Sequence, residues 1–597
     1  MDKRSGRARL PARCQTHARF VTAARRGGPS AARRFFGAWL ATLCTGIALA
    51  GVPVQVTPVT ATHGMVVAGH PEAAAAGVDV LRAGGNAIDA AVAVSLALGV
   101  AEPYASGLGG KIMMVYRDAE GRSFAIDGMD EASRTLPTEK FRHLSSNRRH
   151  YGWTSVATPG LAAALETAHR RWGVRPWAED VRPAIELARR GFEVLPKSRD
   201  LFLEREKVLR GDPELTRIFL PQGRVPAVGA RLPNPDLAHT MELLAEKGAA
   251  GFYRGPVAEA MVAAAQRGGG WLTLDDLAHY EARVRAPVMT EIFGCTFLAG
   301  CPPSTGPAQY LAILKALETA RWAPGALRTA ANLDQVGRVW QQVAPVVQST
   351  VADVASADDA VTHLFAADFI AEVRQRAGVG VAQVREKDAR TPVWSEPDFE
   401  DVHASTTHFV IVDGAGNVVS VTQSQSLHFG AGVMAPGTGV VMNDSLSNFA
   451  VVNAGSVNIA APGKRPRSTT APTIVVRGGR PLLAIGLPGA QRIPTAMLQT
   501  LLDYFAFHRP LADSIGDTRL HLLSPVTARD PNNVWEVEAS FPDEEQKMLE
   551  ALGWKVVKKE AAGRGRYFGG INAIEVGADG ALTGYADPRR TNAAAGF

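Results

Sequence analysis

Cysteine is scarce. Four occur in 597 residues, and two of them, Cys14 and Cys44, fall in the first fifty. A fold of this size is not held by so few bridges. Cys295 and Cys301 stand six residues apart. Six residues of strand would part them by roughly 20 Å, too far for a disulfide unless the chain bends back, so both are expected to be buried thiols. CxxC pairs and His-rich spacings are missing, which leaves no candidate metal site, and no cofactor is implied. Low-complexity linkers are missing as well. Charge is modest at 20% of residues. The first 50 residues hold ten Lys/Arg against a single acid, Asp2, so the rest of the chain carries 54 basic and 57 acidic side chains. The net basic charge is an effect of that leading segment and gives no argument for nucleic acid.

A long apolar span is also lacking. The one candidate, Phe35 to Ala50, is short for a membrane crossing. Its basic flank, short apolar stretch and closing Ala48-Leu49-Ala50 read as a secretory signal. Arg33-Arg34-Phe35-Phe36 loosely resembles a twin-arginine signal. Residues 1–50 are therefore expected to be a leader, the alternative being an uncleaved membrane anchor, and the rest periplasmic or secreted, with no stable membrane span once the leader is gone.

What remains is 46% hydrophobic over the whole chain and long enough for a large core. His70 to Val100 is Ala-rich with aliphatic residues at helical spacing, broken by Gly84-Gly85-Asn86. The second piece, Ala87 to Leu98, is apolar nearly all round and should be buried. Helical spacing also predicts 160–172, 177–190, 235–247, 256–266, 329–343 and 358–376. Thr290 to Ala299 reads as one strand. Arg385 to Ser405 is polar with two prolines and reads as an exposed, mobile tail. Strand signals gather later, at 473–476, 482–485 and 571–575.

The densest signal is Ser405-Thr406-Thr407-His408-Phe409-Val410-Ile411-Val412-Asp413. β-Branched and aromatic residues alternate here, Gly414 to Asn417 supplies turn chemistry, and Val418 to Ser424 reads as a return strand. Thr406 sits at the mouth of that hairpin. Alone, it is an ordinary strand residue.

Its company decides otherwise. The hairpin, then Phe429-Gly430-Ala431-Gly432, Pro436-Gly437-Thr438-Gly439, Lys464 to Thr469, Gly486 to Ile493 and Ala586 to Arg590 together resemble the small subunit of γ-glutamyltransferases. Upstream, Gly84 to Ala91 and Ser106-Gly107-Leu108-Gly109-Gly110 belong to the same pattern. The resemblance runs from about residue 64 to the end. It implies an N-terminal-nucleophile hydrolase: an α+β, four-layer αββα sandwich, made as one chain that cuts itself. The large subunit would be 51–405 and the small one 406–597. A hydroxyl is a weak nucleophile until a base takes its proton, and a free α-amine titrates near pH 8. A break between Ser405 and Thr406 gives one residue both groups. Small Ala404 and Ser405 leave the attack unhindered.

The resemblance further assigns Ser424 to orienting the nucleophile and the Gly489-Ala490 amides to the oxyanion. The family usually has Gly-Gly at that place. The substrate clamp departs from the family. Met129 stands where an arginine holds the glutamyl carboxylate, and Asn448 where an aspartate holds the amine. Ser426 and Ser445 replace an assisting asparagine and glutamine, and Ser468-Thr469 replaces a Ser-Ser pair. The 449–464 stretch is short for the family's lid loop. The implied function is cleavage of γ-glutamyl amides, with a small-molecule amide as partner and transfer to water or an amine. The altered clamp leaves open an acylase for glutaryl-type or other simple acyl groups. An inactive binding protein on the same fold is opposed by the intact Thr406, Ser424 and Gly489.

Overall fold

A computed structural model describes residues 54–379, 404–523, 533–559 and 567–597. The leader and most of the 385–405 tail lie outside the described residues. The rest packs as two seven-stranded antiparallel sheets face to face. One sheet runs, edge to edge, Ala593–Gly596, Met65–Ala68, Ala404–Val412, Val418–Leu427, Lys111–Arg117, Ser123–Gly128, Arg283–Arg285. The other runs Val59–Ala61, Leu582–Ala586, Asn572–Val576, Arg480–Gly486, Thr473–Arg477, Cys295–Ala299, Val288–Ile292.

Period-two alternation separates the faces of the first sheet. Phe409, Ile411, Val419, Val421, Ile112 and Met114 point outward into a core shared with helices Pro71–Arg82, Ala87–Ala101 and Leu161–Trp172. Val410, Val412, Val418 and Val115 point inward and meet Leu298, Ile474 and Ile574 of the second sheet. The second sheet's other face carries Phe297, Val475 and Leu483 against helices Gly306–Leu317, Ala330–Thr350 and Arg492–Phe505. The result is helix, sheet, sheet, helix, as the sequence implied. Each fully buried Val, Ile or Leu in these layers contributes about 1.5–3 kcal/mol.

Helix Ala87–Ala101 is buried at every position and is opened by an Asn86/Asp89 capping box; the apolar sequence and its cap agree. Both sheets interleave strands from before and after Thr406. A cut at that residue leaves two chains that share both of these seven-stranded sheets, so neither chain completes them alone.

Three elements differ from the sequence reading. Thr290 to Ala299 is a hairpin, Val288–Ile292 with Cys295–Ala299. Its turn residues Phe293 and Gly294 have φ of 52° and 67°, which is the two-residue turn favoured by strand twist. Phe293 is held there by a hydrogen bond from its N–H to Glu318 and by stacking on Phe505. The 358–376 stretch is two helices, Ala357–Leu364 and Ala367–Ala377. The 329–343 helix runs on to Thr350 through Pro345. Cys295 and Cys301 are both buried and unbridged, as expected.

Candidate active site

Thr406 lies on the inner face of its strand, where the polar end of the inter-sheet layer begins. The pairing of its strand with Val418–Leu427 is in step from Val412 to Thr407, matches Ser405 to Ser426, and slips between. Ser424 and Gln425 together oppose Thr406. This bulge re-aims the side chain of Ser424. Its hydroxyl donates to the Ser405 carbonyl at 2.5 Å and accepts from the Ser426 N–H at 2.9 Å. The Thr406 hydroxyl stands 2.5 Å from the same carbonyl oxygen and 3.2 Å from Ser424 Oγ. Ser405 is fixed in turn by its hydroxyl, which donates to the Tyr104 carbonyl. All three residues are buried.

His408, two residues along on the same face, is not a base for this site. Its Nδ1 meets Thr422 Oγ1 at 2.9 Å, and burial pushes its pKa down to about 3. Its ring lies against Gly486, where a Cβ would come within 2.3 Å. That close approach places the end of strand Arg480–Gly486, and the loop after it, beside the nucleophile strand. The loop carries Gly489 and Ala490 into helix Arg492–Phe505. Ala490 has φ of 49°, a region that costs a residue with a Cβ. The Thr469 hydroxyl donates to the Ala490 carbonyl at 2.8 Å and steadies it. Among the described residues neither the Gly489 nor the Ala490 N–H has an acceptor in the protein, which is the condition of an oxyanion-binding pair.

Ser426, Ser445 and Asn448 come together as the sequence implied. Asn448 donates to Ser426 Oγ at 3.0 Å, and the two serine hydroxyls stand 3.1 Å apart. Sequence reasoning missed what lies beneath them. Lys111 Nζ donates to Ser426 Oγ and, at 2.7 Å, to Ser445 Oγ. Ser445 donates at 2.5 Å to Asp130, whose carboxylate is 3.8 Å from the ammonium. Burial lowers the Lys111 pKa against the pull of Asp130 and Asp444. It raises Asp130 to about 7 and Asp444 to about 6. The one available signal was a lone charge in Gly110-Lys111-Ile112-Met113-Met114-Val115.

Met129 is fully buried in an apolar group with Met113, Ala125 and Cys301, and its carbonyl accepts from Tyr280. Asp130, the next residue, reaches the polar cluster through Ser445. Arg465 is no substitute clamp, since it is committed to Asp127 at 2.9 Å and Glu131 at 3.5 Å. The Ser468 hydroxyl accepts from the Thr470 N–H at 3.3 Å, and its carbonyl accepts from Thr305. The 449–464 stretch folds back on itself through Asn458 to the Asn448 carbonyl and Lys464 to the Val457 and Ile459 carbonyls.

Among the described residues one group has metal-ligand geometry: Asp89, His169 and Asp180 hold atoms within 4.8 Å of one another. Protein donors occupy it. Arg175 Nε is 2.9 Å from Asp180, and Asp89 accepts from the Asn86 and Val174 N–H groups. It is a helix-tethering knot.

Comparison with known proteins agrees with this geometry. A sequence profile of the gamma-glutamyltranspeptidase family matches residues 73–597. The chain belongs to that family. It is 33% identical over 540 residues to a glutathione hydrolase proenzyme of a Pseudomonas species, covering 87% of this chain and 90% of that protein. It is equally 33% identical over 544 residues to the acylase ACY 1 proenzyme of another Pseudomonas strain, covering 89% and 92%. The crystal structure of cephalosporin acylase from Bacillus halodurans superposes with a TM-score of 0.78 at 25% identity, covering 92% of this chain and 98% of that one. The family's enzymes are made as one chain and use an N-terminal nucleophile, and this chain is a self-processing amidohydrolase of that kind. Among the described residues no helix is long and apolar enough to cross a membrane.

Proposed function

We propose that Thr406 performs two reactions in succession. In the first, its Oγ attacks the Ser405 carbonyl carbon. The peptide nitrogen leaves and becomes the Thr406 α-amine, and an ester joins Ser405 to the Thr406 oxygen. Water then opens the ester, leaving a carboxylate on Ser405. In the second, the free amine takes the proton of the same hydroxyl, which attacks the amide of a small-molecule donor. The Gly489 and Ala490 amides receive the oxyanion. The amine leaves, an acyl-threonine remains, and water or an acceptor amine releases the acyl group. The observation that carries this reading is the convergence of the Thr406 and Ser424 hydroxyls on the Ser405 carbonyl oxygen, each at 2.5 Å. The donor is a γ-glutamyl amide of the glutathione type. The leader, residues 1–50, directs the protein to the periplasm or outside the cell.

A second reading is an acylase for simpler acyl groups. Asn448 supports it, because the carboxamide offers a substrate ammonium only a neutral partner. So does the apolar Met129, which offers a substrate carboxylate no hydrogen bond. Thr406→Ala tests the common mechanism. The variant should stay one chain and turn over nothing, while Thr406→Ser keeps some of each reaction. Side-by-side kcat/KM on γ-glutamyl and glutaryl anilides separates the two donors. A Thr406→Ala chain that still splits at Ser405 would place the nucleophile elsewhere.

A further inference from the structure

Lys111 is the one ammonium in the polar cluster beside the nucleophile. Its strand pairs with the return strand so that Lys111 faces Ser424 directly. Paired residues on neighbouring strands share a face at close range, so the lysine stem starts beside the hydroxyl that touches Thr406. The ammonium has three N–H donors. Two go to Ser426 and Ser445. The nearest carboxylate oxygen, on Asp130, lies at 3.8 Å, outside hydrogen-bonding distance. Asp130 meanwhile takes the Ser445 hydroxyl on one oxygen, and its other oxygen, fully buried, has no hydrogen-bond partner among the described residues. The pair is thus imperfectly matched, with one donor unspent. A buried charge left in that condition is costly and favours any ligand that supplies the missing acceptor.

Access follows from the cut. In the continuous chain Ala404 and Ser405 pair with Leu427 and Ser426. Cleavage frees the segment ending at Ser405, and the end of the return strand then loses its partner at Ser426, the residue that lies over Lys111. The half-buried Ser426 and Asn448 become the wall through which a substrate reaches the ammonium.

We propose that Lys111 is the acyl-recognition cation of this enzyme, and that its donors are monoamides of dicarboxylic acids whose far carboxylate takes the unspent Lys111 N–H together with the Ser426 hydroxyl and the second Asn448 N–H. This rests on the amidohydrolase reading above. It narrows the substrate to a carboxylate-ended acyl group, for which a glutaryl chain is the simplest probe. The α-ammonium of a glutamyl group is an addition that the site does not require. Asp130, whose carboxyl is raised into the neutral range by burial, can accept a proton as the substrate carboxylate arrives, so the cluster need not hold an excess negative charge.

The test compares glutaryl and pentanoyl anilides, which differ only in the terminal carboxylate, on the matured wild type, Lys111→Met and Lys111→Arg. Hydrogen bonds to charged groups imply a glutaryl preference on the order of 10- to 100-fold in kcat/KM. The preference should vanish in Lys111→Met and survive in part in Lys111→Arg. Appearance of the smaller chain starting at Thr406 reports that a variant has folded. Calorimetry with free glutarate and pentanoate gives a readout that needs no turnover. Glutarate binding that Lys111→Met abolishes supports the site even if no anilide is cleaved, in which case the amidase reading alone fails. A wild type that treats both anilides and both free acids alike overturns the proposal without any variant. So does a Lys111→Met enzyme that keeps the glutaryl preference.

Discussion

Thr406 and Ser424 share one acceptor, the carbonyl oxygen of Ser405, at 2.5 Å each. In the proposed mechanism the shared contact divides the labour of self-cleavage: Thr406 supplies the attacking oxygen, while Ser424, aimed by the bulge and held by the Ser426 N–H, polarises the carbonyl. Loss of one preorganised donor to a developing oxyanion costs about 10²–10³ in rate. Ser424→Ala should therefore mature slower by that order, followed as the decay of the uncut chain on gels after refolding. Maturation at the wild-type rate would remove Ser424 from the chemistry.

Met129 sets a limit on redesign of the clamp. Placing an arginine there puts a charge among Met113, Ala125 and Cys301, with Arg465 already holding the nearby Asp127. An unpaired buried charge costs several kcal/mol. Met129→Arg should lower thermal stability and soluble yield and give no gain on γ-glutamyl anilide. Asn448→Asp, at a half-buried position, should fold normally. A stable Met129→Arg enzyme with improved γ-glutamyl turnover would show that this side chain reaches the substrate after all.

Ala490 keeps a left-handed backbone, φ 49°, at the oxyanion loop. The left-handed region costs an L-residue roughly 1–2 kcal/mol, and the greater unfolded-state freedom of glycine returns part of that. Ala490→Gly should stabilise the protein by about 0.5–1 kcal/mol while keeping turnover, because the backbone N–H is retained. Thermal unfolding beside kcat measures both. A fall in stability would mean that the methyl group contributes packing that outweighs the strain.

Much of the architecture was legible because it rests on local pattern. The nucleophile hairpin alternates β-branched residues around Gly414 to Asn417, and Asp413 accepts from the Ala415 and Asn417 N–H groups to close the turn. Helix Ala87–Ala101 announces its burial by having no polar stripe. The Phe293-Gly294 turn was hidden because a phenylalanine holds positive φ only through contacts with Glu318 and Phe505, which lie far along the chain. Lys111 was hidden for the same reason. Its acceptors, Ser426 and Ser445, lie 315 and 334 residues away, and no spacing rule joins them.

The ionic cluster beneath the serines also makes stability depend on pH, with a sign that can be worked out. Burial raises the Asp130 pKa to about 7 in the folded chain, against about 3.9 when unfolded. Between those values the folded state holds a proton that the unfolded state has lost. Stability from this group is therefore complete below about pH 4 and declines as pH rises through 7. His70 and His408 act in the opposite direction, since burial pushes them down to about 4 and about 3, and their contribution is lost as pH falls below about 6.5. Both histidines are common to wild type and an Asp130→Asn variant, so their effect cancels in the difference. In an uncut Thr406→Ala background, which stays one chain, the denaturation midpoint of the Asp130 protein minus that of Asp130→Asn should be larger at pH 4.5 than at pH 7.5. Parallel midpoints at the two pH values would show that Asp130 titrates as an ordinary carboxylate, and that the pairing with Lys111 is strong enough to offset its burial.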